Sequence, residues 1–452
     1  MKYKCNNDIK MNIPKDVDFI IKKLEENGYE AFAVGGCVRD TILGREPKDW
    51  DITTSALPQK VKEIFRRTLD TGLQHGTVTV MLKHIGYEVT TYRIDGEYKD
   101  SRHPESVEFT TNLIEDLKRR DFTINAMAYN SKYGVVDAFD GIGDLQRKVI
   151  KCVNDPEERF TEDALRMLRA VRFSAQLGFE IEEKTEKAIK KLAPTLEKIS
   201  AERICAELEK LILSDNPDKL IEAYNLGITK VVLPEFDAMM ECKQDTPYHM
   251  YNVGEHTIKV MENVEKTRVM RFAALLHDVA KPDVHTFDTR SHFKGHAIAG
   301  VEKANKIMRR LKMDNKTIGL VKRLVACHDD RPVEHGRSEE KVRRSVHKIG
   351  KDIYPLYLQL VSADFAGKSE YGREKGYDDY LYVVETFNKI VDEEQCTCSA
   401  ELNITGKEMI AMGVKPGPKI GDIFDRLLDM VLENPQLNEN EKLRELVLKF
   451  NA

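Results

Sequence analysis

The sequence predicts an α+β protein: a small mixed sheet with helices at the N-terminal end, followed by an all-helical remainder. Three observations carry this expectation. Short runs rich in β-branched residues occur before residue 150 and nearly vanish after it. From residue 162 onward, apolar residues recur at helical spacing. Turn signals such as Asn216-Pro217 and Leu233-Pro234 divide those helical stretches.

In chain order, VDFIIKKLEENG (17–28) is expected as a helix and AFAVGG (31–36) as a strand closing on two glycines. WDITT (50–54), TVTVML (77–82) and YEVTTYRI (87–94) read as strands, with a helix over LPQKVKEIFRRT (57–68). The helical series continues through 162–179, 182–193, 200–215 and 216–227. A second helical block, about 250 to 390, carries most of the histidines, and the tail holds the turn GVKPGPKIG before the amphipathic FDRLLDMVLENP. The expected organisation is a catalytic head (1–150), a helical neck (151–245), a helical body (246–385) and a helical tail (386–452).

The 452 residues include 71 Lys and Arg against 76 Asp and Glu, a net charge of −5, so a nucleic-acid partner would need a local basic surface. A composition 41% hydrophobic supports a sizeable core. No apolar run approaches the ~18–20 residues of a membrane helix, and MKYKCNNDIKMNIPKDVDF lacks the apolar stretch of a signal peptide. The eight cysteines are scattered, and the CxC of Cys396 and Cys398 has no second pair to make a zinc framework. A cytoplasmic location is expected.

Four motifs in the first half bear chemistry. Gly35-Gly36-Cys37-Val38-Arg39-Asp40 ends a strand and opens a helix. Such a turn either cradles phosphate on backbone N–H groups or is an ordinary turn. Asp49 and Asp51 lie at i and i+2, on one face of an extended segment, where two carboxylates repel unless a cation lies between them. Taken alone, the pair is equally at home in a solvated acidic turn. Arg119-Arg120-Asp121 either clamps a triphosphate or caps a helix. On a continuous helix, Asp163, Arg166 and Arg169 fall within an arc of about 120°. There they either offer an acceptor and a donor fork to the edge of a base or form ordinary ion pairs.

Together GGCVRD, DWD, RRDFTINAMAY and EDALRMLRAVRF, in that order, resemble the class II tRNA nucleotidyltransferases and bacterial poly(A) polymerases, of the polymerase-beta-like nucleotidyltransferase superfamily. The resemblance implies that Asp49 and Asp51 hold catalytic Mg²⁺, and that Gly36, Arg39 and Arg120 contact the incoming nucleotide. It also implies that Asp163 and Arg166 read the Watson–Crick edges of C and A, with Arg169 and Arg172 continuing that basic helix. The expected activity is CCA addition to tRNA from CTP and ATP. An A-adding enzyme, a poly(A) polymerase and a non-enzymatic RNA-binding module are the alternatives. The segment from Arg93 to Pro104 resembles the flexible loop of enzymes that complete the CCA end, although the family's final arginine-proline reads His103-Pro104.

In the helical block, His256, the pair His277-Asp278, and Asp364 are spread over otherwise apolar segments, with His296 and His328 between the last two. Imidazole with carboxylate suits a divalent transition metal. The pattern resembles the HD superfamily of metal-dependent phosphohydrolases. This implies a second site at His256, His277, Asp278 and Asp364 for Ni²⁺, Mn²⁺, Co²⁺ or a similar ion. From Glu302 to Arg323, eight basic residues stand against two acidic ones, a net +6 that either meets tRNA phosphates or is a solvated face. The tail segment Lys415 to Lys419 resembles the family's C-terminal region, which implies a contact with the tRNA elbow.

Overall fold

A computed structural model describes residues 5–6, 8–96 and 107–451, so much of the proposed flexible loop, including His103-Pro104, lies outside the described residues. The chain forms two compact units, Met1–Pro234 and Glu235–Ala452. The expected head (1–150) and residues 151–234 of the expected neck lie in the first unit; residues 235–245 of the neck lie in the second, with the expected body and tail.

The first unit is built on an eight-stranded mixed sheet. Its strands, with those of a separate hairpin, are β1 (Cys5–Asn6), β2 (Ala31–Val34), β3 (Ile52–Thr54), β4 (Thr68–Gly72), β5 (Thr77–Leu82), β6 (Ile85–Thr91), β7 (Arg93–Asp95), β8 (Val107–Phe109), β9 (Met127–Asn130) and β10 (Gly134–Asp137). The order is β1-β10-β9-β2-β3-β6-β5-β4, while β7 and β8 pair with each other. Every neighbour is antiparallel except β3 and β6, which run parallel with Ile52 opposite Val89. All four residues of β2 are buried, as a central strand covered on both faces requires. Phe32, Val34, Tyr92, Leu113, Leu117 and Val136 share one buried cluster. Helix Lys15–Glu26 buries Val17, Ile20, Ile21 and Leu24, the i, i+3, i+4, i+7 stripe of an amphipathic helix.

The expected helix over 162–179 starts at Leu165 rather than Glu162. Asp163 is extended (φ −143°, ψ 102°) and ends the preceding helix Pro156–Glu162. Its Oδ1 accepts a hydrogen bond from Leu165 N at 3.1 Å. The single helix face carrying Asp163, Arg166 and Arg169 is therefore corrected to a helix–break–helix. The physical reason is the short carboxylate, which competes for local backbone donors and favours helix ends.

Among its described residues the second unit is helical apart from the two-residue pair Thr286–Phe287 and Ser291–His292 and an isolated bridge between His249 and Lys368. Its tail helices Pro418–Glu433 and Asn440–Asn451 bury Leu427, Val431, Leu443 and Val447 in one cluster. No helix is long and apolar enough to cross a membrane among the described residues.

Candidate active site

Gly35, just after β2, has φ +82°, a conformation that glycine adopts without a Cβ penalty. A Cβ there would stand 2.9 Å from Arg120 Nη1, so the glycine also admits the guanidinium. Gly36 then opens helix Gly36–Ile42, which carries the buried Arg39. Arg39 Nη1 donates to Asn125 Oδ1 at 2.7 Å, its Nε and Nη2 donate to Asp40, and the guanidinium lies 4.9 Å from the Phe173 ring centroid. Three sequence-distant motifs thus meet around Arg39.

Asp49 and Asp51 precede β3, and the parallel register places Glu88 of β6 beside Asp51. Burial raises the Asp51 pKa, with Arg120 opposing and Asp49 reinforcing the rise. Burial, Asp51 and Asp49 likewise raise that of Glu88. Asp51 and Glu88, whose ionisation neighbouring carboxylates oppose, form with Asp49 an oxygen-rich donor set that suits a hard divalent cation. Glu88 was not singled out in the sequence because only strand pairing, not spacing, brings it to the aspartates.

Arg119, Arg120, Asp121, Asp163, Arg166, Arg169 and Arg203 line a cavity of about 240 Å³. Arg120 Nε is buried without a hydrogen-bond partner. Arg166 donates to Glu162 at 2.6 Å and to the carbonyls of Arg159 and Arg119 at 3.1 and 3.0 Å. Arg169 grips Asp121 Oδ2 at 2.9 and 2.6 Å. Burial alone would raise the Asp121 pKa, but Arg169 and Asn125 hold it well below the usual carboxylate range. Asp163 pairs with Arg203, a residue the sequence gave no reason to select, rather than with Arg166. Arg172 does not line this cavity; its Nε donates to the buried Glu207 at 2.8 Å and its Nη1 to Gln176. Five arginines against two aspartates make the cavity a receptor for an anion with hydrogen-bonding edges.

The second unit brings His256, His277, Asp278 and Asp364 together, all buried. His256 Nε2 lies 3.1 Å from Asp364 Oδ1 and 3.7 Å from Asp278 Oδ2, and His277 Nε2 lies 3.1 Å from Asp278 Oδ2. His296 and His328, which the sequence reading left outside the ligand set, join them: each Nε2 is 3.4 Å from Asp278 Oδ1. Every Nδ1 in this group faces a backbone carbonyl: His256 that of Gly367, His277 that of Ala274, His296 that of Phe293 and His328 that of Val325. The proton on Nδ1 assigned by those bonds turns each Nε2 lone pair inward, the orientation of metal-binding imidazoles. His277 Nε2 is buried without a hydrogen-bond partner, and the Nε2 atoms of His296 and His328 face each other at 3.0 Å. No single cation reaches all of these nitrogens, since His277 belongs to one donor group and His296 and His328 to another. Within 4.8 Å, two groups can hold one: His256, His277 and Asp278, and Asp278, His296 and His328.

The basic run from Glu302 is less free than its sequence suggests. Lys303 pairs with Asp283, Arg310 with Glu235, Arg323 with Asp352, and Lys306 with Glu302. Arg309, Lys312, Lys316 and Lys322 remain without an ion pair among the described residues.

The chain matches the poly A polymerase head domain over residues 31–151, the probable RNA and SrmB-binding site of polymerase A over 178–240, and the HD domain over 246–363. It is 34% identical to a CCA-adding enzyme of Pediococcus pentosaceus over 96% of this chain and 98% of that one. It is 35% identical to a CCA-adding enzyme of Leuconostoc mesenteroides over 96% of each. Among solved structures it superposes on the Bacillus stearothermophilus CCA-adding enzyme in complex with CTP with a TM-score of 0.71 at 29% identity, covering 98% of both chains. It shares the fold of the Thermotoga maritima CCA-adding enzyme complexed with tRNA, at a TM-score of 0.60 and 21% identity over 97% of each.

Proposed function

The chain belongs to the CCA-adding enzyme family, and on that premise we propose that it adds CMP, CMP and AMP in turn to the 3′ end of tRNA from CTP and ATP, without a nucleic-acid template. It is a nucleotidyltransferase. The observation that carries the reading is one compact unit holding both a carboxylate trio and a cavity lined by five arginines.

Asp49 and Asp51, with Glu88 alongside, would hold Mg²⁺. What the ion supplies when bound is a lowered pKa for the attacking 3′-hydroxyl and neutralisation of the triphosphate charge. Gly36 lets the backbone approach the phosphates, and Arg39, Arg120 and Arg169 supply positive charge to them. Asp163 accepts the exocyclic amine that C and A share, while Arg166 donates to the neighbouring ring nitrogen. U and G present the opposite pattern and are refused. Arg172 braces this wall through Glu207, and contact with nucleotide would require that pair to open. Positioning and charge complementarity, rather than a side-chain base, supply the rate. Incubation with each nucleoside triphosphate separately tests this: CTP and ATP should be incorporated and UTP and GTP refused.

A second reading is favoured by the inward-turned imidazoles. The HD domain would hold one or two divalent ions at His256, His277, Asp278, Asp364, His296 and His328, Ni²⁺, Mn²⁺ or Co²⁺ being suited to that donor set. The activity expected there is hydrolysis of a phosphoester, such as a 2′,3′-cyclic phosphate at an RNA end, with water adding to phosphorus as one P–O bond breaks.

A further inference from the structure

Asp116 lines no part of the arginine cavity, yet its fully buried carboxylate binds two of that cavity's arginines. It sits on the short helix Leu113–Lys118, capped by Asn112, whose side chain accepts from Ile114 N. Its Oδ1 accepts from Arg119 Nε at 3.0 Å, from Arg119 Nη2 at 2.7 Å and from Arg93 N at 3.4 Å. Its Oδ2 accepts from Thr53 Oγ1 at 3.1 Å and lies 3.8 Å from Arg120 Nη2. Arg119 and Arg120 follow at i+3 and i+4, the spacing at which one helical turn brings side chains together.

Thr53 sets this carboxylate beside the aspartate pair. It follows Asp51 by two at the start of β3, so the two side chains share one face. Arg120 reaches the same place from the glycine turn. Its Nη1 occupies the space a Gly35 Cβ would take, and the adjacent Val34 N donates to the Asp51 carbonyl at 2.9 Å. Arg120 Nε has no hydrogen-bond partner, and the ion pair of this guanidinium among the described residues is with Asp116, so charge rather than a hydrogen bond sets its place. Burial lowers the Arg120 pKa, while Asp116, Asp51 and Asp121, in that order, favour its charged form. Arg169 already grips Asp121. One guanidinium is thus claimed by Asp116 and by Asp51, and a divalent cation needs the second of these.

We propose that Asp116 is a positioning residue for nucleotide addition: it holds the Arg120 guanidinium away from Asp51 and so keeps Asp51 open to the divalent cation. The inference rests on the reading of Asp49 and Asp51 as metal ligands. Its sign follows from charge. With Asp116 neutral, Arg120 turns to Asp51 and competes there with the metal. With Arg119 removed instead, Asp116 is left wholly to Arg120 and the competition falls. A pair that only braced the wall would be broken by either change, with the same sign.

The test is Mn²⁺ binding to the full chain followed by electron paramagnetic resonance, since Mn²⁺ shares the oxygen preference and octahedral geometry of Mg²⁺. Every chain carries His277→Ala and Asp278→Ala, so that the donors of the second unit do not report. Asp116→Asn, which keeps the shape of the side chain, should weaken Mn²⁺ binding at least roughly fivefold. Its addition of CMP should need correspondingly more Mg²⁺. In a chain also carrying Arg120→Gln, the same change should weaken Mn²⁺ binding less than about twofold. Arg119→Gln should bind Mn²⁺ no more weakly than the parent, and circular dichroism checks the fold of each variant. Equal weakening by Asp116→Asn with and without Arg120, or weakening by Arg119→Gln, would overturn the assignment. Should Asp116→Asn fail to fold, the Arg119→Gln arm decides. Asp49→Ala separates the premise: if it binds Mn²⁺ like the parent, the metal reading of the aspartates fails and this inference with it. If Asp49→Ala loses the ion while Asp116→Asn keeps it, only the role of Asp116 fails.

Discussion

Arg203 holds Asp163 at two points, with Nη2 2.7 Å from Oδ2 and Nη1 3.3 Å from Oδ1. A guanidinium set this way fixes the plane of the carboxylate at the wall of the arginine cavity, and Leu165 N pins the same Oδ1 from the helix side. Asp163 is thus a pre-oriented acceptor, whose geometry depends on a helix forty residues away in sequence.

Asp163→Ala and Arg166→Ala should therefore loosen the preference for CTP and ATP over UTP and GTP. The expected loss of discrimination is at least tenfold, or about 1.4 kcal/mol. Comparison of kcat/KM for the four nucleotides checks it. Slower addition with unchanged discrimination would make both residues structural.

Asp49→Ala or Asp51→Ala should lower nucleotide addition by at least ~100-fold, about 2.7 kcal/mol of transition-state stabilisation, while leaving the fold and tRNA binding close to normal. Glu88→Gln should reduce addition less severely and raise the Mg²⁺ concentration required. Addition measured across a Mg²⁺ titration, with circular dichroism as the fold control, gives the comparison.

Asp121 ties the arginine wall to pH. Arg169 and Asn125 keep its folded pKa below the unfolded value of about 3.9, so its contribution to stability is present above about pH 4 and declines as pH falls further. Asp121→Asn should be less stable at neutral pH by about 3 kcal/mol, the scale of a broken buried pair, and its urea midpoint should fall less steeply below about pH 4. Urea unfolding of both proteins across that range measures the two slopes.

The double variant His277→Ala, Asp278→Ala should retain CCA addition and lose Ni²⁺-, Co²⁺- or Mn²⁺-stimulated hydrolysis of a cyclic phosphodiester. Elemental analysis of wild type and variant supplies the independent readout. A wild-type site that takes up no metal would leave the histidines with a packing role.

Much of this was readable in advance because local rules and tertiary context agree. The strands at 31–34, 52–54 and 77–82 follow their β-branched runs, and the neck helices follow their apolar spacing. All but one of the discrepancies come from pairing between segments, near or distant in sequence, that the local pattern does not show. Thr68–Gly72 became an edge strand because β5 was there to pair with it. Glu88 reached Asp51 only through a parallel register, and His296 and His328 reached Asp278 only through helix packing. The basic run after Glu302 lost part of its charge to Asp283, Glu235 and Asp352, none of them in the run itself. Asp163 departed from the helix for the opposite reason, a local one: a short carboxylate beside free backbone donors.

In the proposed function one site makes the whole CCA end, with CTP and ATP chosen in order. Its most direct test is single-nucleotide-resolution extension of three tRNAs, ending in the discriminator base, in C and in CC, with CTP and ATP together and separately. CTP alone should carry the first two to CC and stop. ATP alone should extend only the CC-ended tRNA, by one residue, and the two together should bring all three to CCA. Extension of the CC-ended tRNA alone under every condition, or long A tails on unstructured RNA, would contradict it.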